Sequence, residues 1–171
     1  MSMRLAVLSD LHDNVADWDI IAKMLAAGNI AILINCGDTA APAMLKHMSQ
    51  SFSGTIHTVF GNVADRQRET RLVESLPNVV HHGDQGAVEL EGRKLGFCHF
   101  PEVAEAMSAT DEFDLVCHGH THLQRWEPVR HSDGTVTMLL NPGTAGGMFQ
   151  YPTFATVDIP AMTHQFQQVH L

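Results

Sequence analysis

Cysteine, positive charge and long apolar runs are what this chain has least of. Three cysteines, Cys36, Cys98 and Cys117, occur in 171 residues, and no two form a C-x-x-C pair. An odd thiol count leaves one unpaired, which argues against a structural zinc knot and suits a reducing compartment. Lysine and arginine number 10 against 19 acidic residues, for a net charge of −9. Nucleic acid held by a general electrostatic footprint is therefore not expected. A small anionic ligand stays open, because bound cations can invert the local field. No apolar stretch approaches the roughly 20 residues of a membrane span, so no membrane partner is expected. Met3 to Leu8 is too short for a signal peptide, and Ser9-Asp10 follows at once. The cytoplasm is the expected location. The Gly143-Thr144-Ala145-Gly146-Gly147 stretch lacks the Lys-Ser/Thr that would make it a P-loop.

What is present reads as an ordinary globular chain, 44% hydrophobic and 17% charged. Without a linker, repeat or low-complexity tract, residues 1–171 are expected to form a single domain. Buried strands are expected at 4–9, 30–35 and 55–60, alternating with helices. The first helix carries Trp18, Ile21, Ala22 and Leu25 at helical spacing, with Asn14 or Asp17 as its cap. The second runs from Pro42 to Met48, and a charged third one from Arg66 to Leu76. The second half changes to hairpins: 87–90 with 95–99, 125–130 with 135–140, and 154–159 with 164–169. A helix over 101–109 and a strand over 115–118 lie among them. The fold class is α/β, with βα units followed by hairpins in mixed sheets.

Five segments place Asp, Asn or His where an apolar strand gives way to a loop: Asp10-Leu11-His12, Gly37-Asp38, Gly61-Asn62, His99 and Gly119-His120-Thr121-His122. In open α/β sheets, sites form outside the carboxyl ends of strands. Asp10 and His12 are two apart, as are His120 and His122; in extended chain such pairs project to one side. The glycines suit tight turns and close backbone approach. Imidazoles mixed with carboxylates suit Mn, Fe, Zn or Co better than a dedicated Mg or Ca site.

The ordered set D-x-H, G-D, G-N, H and G-H-x-H resembles the calcineurin-like metallophosphoesterase superfamily. Within it, the chain resembles the small bacterial and archaeal phosphodiesterase branch, to which the eukaryotic retromer subunit of this fold is related. Asn141-Pro142-Gly143-Thr144 is similar to a further loop of that branch. The resemblance implies a four-layer αββα sandwich of two mixed β-sheets flanked by helices. It also implies two divalent metals about 3.5–4 Å apart, Mn first, with Fe, Zn, Co or Ni as alternatives. By motif position Asp10, His12 and His122 would hold one metal, and Asn62, His99 and His120 the other, with Asp38 bridging. A metal-bridging hydroxide would attack phosphorus in a small phosphate ester, a phosphodiester before a monoester. Asn62 and His120 would also assist catalysis, and Asn62 and Asn14 would contact substrate. Homodimerisation stays open.

The chain departs from the superfamily's pattern in three places. Val63-Ala64-Asp65 follows Asn62 where many relatives have His-Asp or Cys-Asp, so the proton-donating histidine is absent. Asp65 and His118 are the candidates for that acid. Phe100 follows His99 where relatives have glycine, and His118 stands where they have an apolar or aromatic residue. The remaining histidines, at 47, 57, 81, 82, 131, 164 and 170, are read as solvated or structural, and Arg66 to Arg71 as a solvated helix face. The competing readings are a non-catalytic scaffold or protein-binding module on the same fold, an aspartyl-phosphate phosphatase, and an amidohydrolase. The phosphatase would want D-x-D after the first strand, and the amidohydrolase H-x-H there. A scaffold could lose ligands, whereas all seven positions here carry ligand-competent side chains.

Overall fold

The computed structural model describes residues 3–170. The first apolar run forms β1 (Arg4–Leu8), buried beyond Arg4. It is followed by α1 (Val15–Ala27), β2 (Ile32–Asn35), α2 (Pro42–Ser51), β3 (Thr55–Thr58), α3 (Arg66–Val73) and β4 (Val79–His81). Strands β1 to β4 run parallel, as βα alternation requires. The last hairpin, β10 (Thr153–Asp158) with β11 (Thr163–Gln168), joins antiparallel to β1 and completes the order β11-β10-β1-β2-β3-β4. A second mixed sheet has the order β5-β6-β7-β9-β8. Its strands are β5 (Gln85–Leu90), β6 (Arg93–Cys98), β7 (Leu115–Cys117), β8 (Arg125–Arg130) and β9 (Val136–Asn141), with α4 (Pro101–Ser108) after β6.

Strand alternation generates the layers. Ala6 and Leu8 of β1 face α1 and α2, packing with Trp18, Ile21, Leu45 and Met48. Leu5 and Val7 face the other way, into a core shared with Phe97, Leu115 and Leu140 of the second sheet. In β7, Leu115 and Cys117 point into that inter-sheet core, while Val116 lies under α4 beside Ala104. The result is the expected αββα sandwich. Truncating a side chain as buried as Trp18 or Phe97 to alanine is worth about 3–5 kcal/mol.

Local chemistry sets the element ends. Asn14, not Asp17, caps α1: its carbonyl oxygen accepts from the Asp17 amide at 3.1 Å. Pro42 opens α2 and Pro101 opens α4 at first-turn positions where a missing N–H is harmless. Strand β4 was not anticipated; three residues after Pro77 are too few to show a period. The β5–β6 hairpin is tighter than its four polar residues suggest. Leu90 pairs with Arg93, leaving a two-residue turn at Glu91-Gly92 with φ of 51° and 73°. Among the described residues no helix is long and apolar enough to cross a membrane.

Candidate metal centre

The loops leaving β1, β2, β3, β6 and β7 meet at one edge of the sandwich and bring all seven ligand candidates together. Burial is graded: Asp10, Asp38 and His99 are buried, His12 and His122 half-buried, and Asn62 and His120 exposed. The site thus has a carboxylate floor and an imidazole and amide rim.

The backbone reaches this arrangement by a route that strand alternation does not describe. Asp10 (φ 57°), His12 (48°), Asp38 (53°), His120 (70°) and His122 (61°) are left-handed, as are Asp13 and Ala40 nearby. The D-x-H and H-x-H pairs are therefore turns rather than extended segments, correcting the same-side argument from i, i+2 spacing. Conformations of this kind cost of order 1–3 kcal/mol each and persist only where the surroundings enforce them. Here adjacent loops hydrogen-bond: the amides of Asp10, His12 and Asp13 donate to the carbonyls of Gly37, Asp38 and Thr39 at 3.1, 3.0 and 3.0 Å. Buried Leu11 anchors the turn between Asp10 and His12. Two glycines allow the packing. A Cβ at Gly61 would overlap the Asp38 carboxylate, and one at Gly119 would overlap the Ser9 hydroxyl and crowd Asp10.

Two histidines are fixed from behind. His99 Nδ1 lies 2.9 Å from the Cys36 carbonyl, and His122 Nδ1 lies 3.0 Å from that of Met148. A carbonyl only accepts, so each Nδ1 carries a proton and each Nε2 faces inward. What those nitrogens meet are acceptors. His99 Nε2 is 2.9 Å from Asn62 Oδ1 and 3.3 Å from Asp38 Oδ2; His122 Nε2 is 3.3 Å from Asp10 Oδ1. His12 Nε2 lies 3.8 Å from Asp10 Oδ1 and 3.9 Å from Asp38 Oδ2. Both His12 Nε2 and Asp10 Oδ1 are buried without a hydrogen-bond partner. Electron pairs converging on electron pairs demand a cation between them, whether proton or metal. The proton's version is visible in His99: burial pulls its pKa down, but Asp38 beside it outweighs that and lifts it above the ordinary imidazole value. Burial pushes Asp38 up, yet hydrogen bonds from His99 and the Val63 amide hold it below the ordinary carboxylate range.

Two triads have donor atoms close enough for one ion each: Asp10, His12 and His122, and Asp10, Asp38 and His99. Asp10 belongs to both, while Asp38 lies within reach of His12 as well as His99. Asn62 Oδ1 is 2.9 Å from His99 Nε2 and also 2.9 Å from His120 Nδ1. Such separations match neighbouring ligands of one ion with bonds about 2.1 Å long. The donor set and the orphaned atoms fit a divalent metal.

Asn14, Asp65, His118 and Phe100 lie outside the two ligand triads. Asn14 has both amide hydrogens engaged, with Asp17 Oδ2 at 2.7 Å and the Gly146 carbonyl at 3.0 Å. Asp65 caps α3, accepting from the Arg68 amide at 3.1 Å, and its carboxylate is exposed. His118 is buried with Arg125, Glu105 and Asp10 as charged neighbours, its Nε2 has no hydrogen-bond partner among the described residues, and burial pulls its pKa down. Phe100 opens α4 and sets its ring 5.0 Å from His99 and 5.1 Å from His120. Residues not foreseen are the outer partners. Besides the carbonyls of Cys36 and Met148, Thr144 donates to the Asp10 carbonyl at 2.9 Å. The Asn-Pro-Gly-Thr motif is a sequence signal for Thr144 alone.

Residues 3–162 match the calcineurin-like phosphoesterase superfamily domain, and the chain belongs to that superfamily. Phosphodiesterase MJ0936 of Methanocaldococcus jannaschii is 23% identical over 159 residues, covering 91% of this chain and 93% of the relative. The structure of an archaeal phosphodiesterase superposes with a TM-score of 0.85 at 22% identity, covering 97% of this chain and 99% of that one. Vacuolar Protein Sorting 29 from Cryptosporidium parvum shares the fold, with a TM-score of 0.63 at 16% identity over 97% of this chain and 96% of that one.

Proposed function

We propose that the chain, acting as a single domain, is a metal-dependent phosphodiesterase that binds two divalent cations, Mn first among them, and hydrolyses a small phosphate diester. The observation that carries the metal reading is the convergence of the His12, His99 and His122 Nε2 atoms on the Asp10 and Asp38 carboxylates, with His12 Nε2 and Asp10 Oδ1 buried and without a hydrogen-bond partner among the described residues. Asp10, His12 and His122 would hold one ion. Asn62, His99 and His120 would hold the other, with Asp38 and Asp10 placed to be shared. Bound metals would supply Lewis acidity toward a phosphoryl oxygen and lower the pKa of water to roughly 7.

The protein's own groups do the rest. Buried Asp10 and Asp38 concentrate negative charge where cations must sit, and the Cys36 and Met148 carbonyls fix the tautomers of His99 and His122. The Val63 amide holds Asp38 Oδ1 and leaves Oδ2 free to turn toward the rings. At the exposed rim, Asn62 Nδ2 and His120 Nε2 have no protein acceptor among the described residues and can donate to an arriving phosphoryl oxygen. Water adds to phosphorus, the ester P–O bond breaks, and a monoester and an alcohol leave. No side-chain acid is assigned to the leaving group in this reading, since Asp65 caps α3 and burial holds the pKa of His118 below the ordinary imidazole value. A steep dependence of rate on leaving-group pKa follows.

The test is hydrolysis of bis(4-nitrophenyl) phosphate and 4-nitrophenyl phosphate by metal-stripped protein reloaded with Mn. Metal-dependent nitrophenolate release, faster from the diester, is expected. Release that ignores metal would contradict the proposal, and no release would contradict it and favour a scaffold.

A further inference from the structure

The metal centre is polar, but one of its walls is not. Phe149 is 88% and Tyr151 82% exposed, an unusual placement for two aromatic rings two positions apart. Phe149 is held at φ 65°, a conformation that a bulky side chain rarely adopts. That turn sets its ring nearly parallel to His122, at an interplanar angle of 22° and a centroid separation of 6.1 Å. The turn is tied to the site, because the preceding residue, Met148, supplies the carbonyl that orients His122. A cleft of about 450 Å³ opens from His122 past Tyr151, and Gln124, Gln150 and Gln168 line it. Those three carboxamides have no hydrogen-bond partner among the described residues. A second hollow, bordered by Phe149, shares Gln150 and Tyr151 with it.

We infer that this cleft, together with the adjoining hollow that Phe149 borders, binds the base of a nucleoside-bearing phosphodiester while its phosphate sits at the metal centre. The inference rests on the phosphodiesterase reading above and narrows it. Flat aromatic faces stack on a planar heterocycle whatever its identity, and free carboxamides offer both donors and acceptors to its edge. An aliphatic diester would use neither. A cationic group would find no carboxylate among the side chains lining the cleft. His122 belongs both to the metal centre and to the cleft wall, so one molecule can reach both. A backbone strained to keep an aromatic ring in water is explained by a ligand that covers the ring.

Calorimetric titration of the full chain with a nucleoside 5′-monophosphate and with ribose 5-phosphate tests this without requiring turnover. The nucleotide is expected to bind at least about tenfold more tightly, since stacking a base on an aromatic side chain is commonly worth that or more. Tyr151→Ala and Phe149→Gly should each erase most of the difference, and Tyr151→Phe should keep it. Phe149→Gly also relieves the left-handed strain, so its thermal stability should not fall. Equal affinity for the two ligands, or a preference untouched by these substitutions, would overturn the inference. So would a dimer, seen by analytical ultracentrifugation, that Tyr151→Ala dissociates, because a second copy would then be the occupant. The two readings fail separately. Base-selective binding without hydrolysis would break the phosphodiesterase proposal, and hydrolysis indifferent to the base would break only this one.

Discussion

Two histidine clusters lie among the described residues, and one of them has the donor geometry of a metal site. In the first, His12, His99 and His122 aim Nε2 at carboxylate oxygens, and His12 Nε2 and Asp10 Oδ1 have no hydrogen-bond partner among the described residues. In the second, around β3 and β4, each ring has an answer. His57 Nδ1 and His82 Nε2 share a hydrogen bond at 3.0 Å, and both rings pack against Phe97. His81 Nδ1 accepts from the Gly83 amide while its Nε2 meets Glu69 at 3.1 Å. The clusters are similar in composition and opposite in logic: complementary pairs make a structural cluster, and acceptors facing acceptors make a site. Elsewhere His47, His131 and His170 hydrogen-bond to Asp19, Thr137 and Asp17, and His164 stacks on Trp126. The number of histidines carries little information; the direction of their lone pairs carries most of it.

Breaking the first cluster should have the largest effect. Asp10→Ala and Asp38→Ala are each expected to lower kcat/KM for an aryl diester by more than about 10²-fold, beyond what loss of an outer partner does. Glu69→Gln, which removes the carboxylate of the second cluster, should leave the rate alone and reduce stability, read by steady-state kinetics and thermal melting. Next in size is Gly119→Ala, whose Cβ would meet Ser9 and crowd Asp10. Overpacking of this kind costs about 1–3 kcal/mol, or a Tm lower by roughly 2–12 °C, and metal content by mass spectrometry should fall with it.

The second cluster should declare itself through pH. Burial lowers the pKa of His57 and of His82, so the unfolded chain binds more protons than the folded one just below the ordinary imidazole value. Their folded forms are unpenalised above about pH 6.5, and stability is lost as pH falls from there toward the lowered folded values. Replacing both with glutamine should flatten that acid limb in denaturant titrations. An unchanged limb would show that the pair is not buried as described. The smallest effect expected is that of Asp65→Asn. Asparagine caps a helix as well as aspartate does, so stability should move by a few tenths of a kcal/mol at most. The leaving-group dependence across substituted phenyl diesters should not change. A steeper slope would identify Asp65 as the missing acid after all.

Much of this was legible in the sequence. Short apolar runs stopped by Gly-Asp or Gly-Asn mark the ends of β2 and β3, and five polar strand ends mark where the site gathers. The turn geometry was not legible. Spacing at i, i+2 led to the right convergence through the wrong conformation, since left-handed Asp10, His12, His120 and His122 are imposed by contacts between loops far apart in sequence. Strand β4 escaped because three residues show no periodicity. The carbonyls of Cys36 and Met148 escaped because any residue can offer one, and only tertiary structure shows which faces a ring. His118 was a plausible acid by alternation with His120, yet Gly119 separates them and leaves His118 in a buried setting.

The comparison between the clusters can be tested in one experiment: ¹⁵N imidazole chemical shifts of the metal-stripped chain, followed as zinc is added. Zinc should move the inward nitrogens of His12, His99, His120 and His122 to metal-bound values and leave His57, His81 and His82 where they were. The Nδ1 protons of His99 and His122 should persist throughout, held by their carbonyls. Shifts confined to the second cluster, or none at the first, would contradict the claim that converging lone pairs define the metal centre.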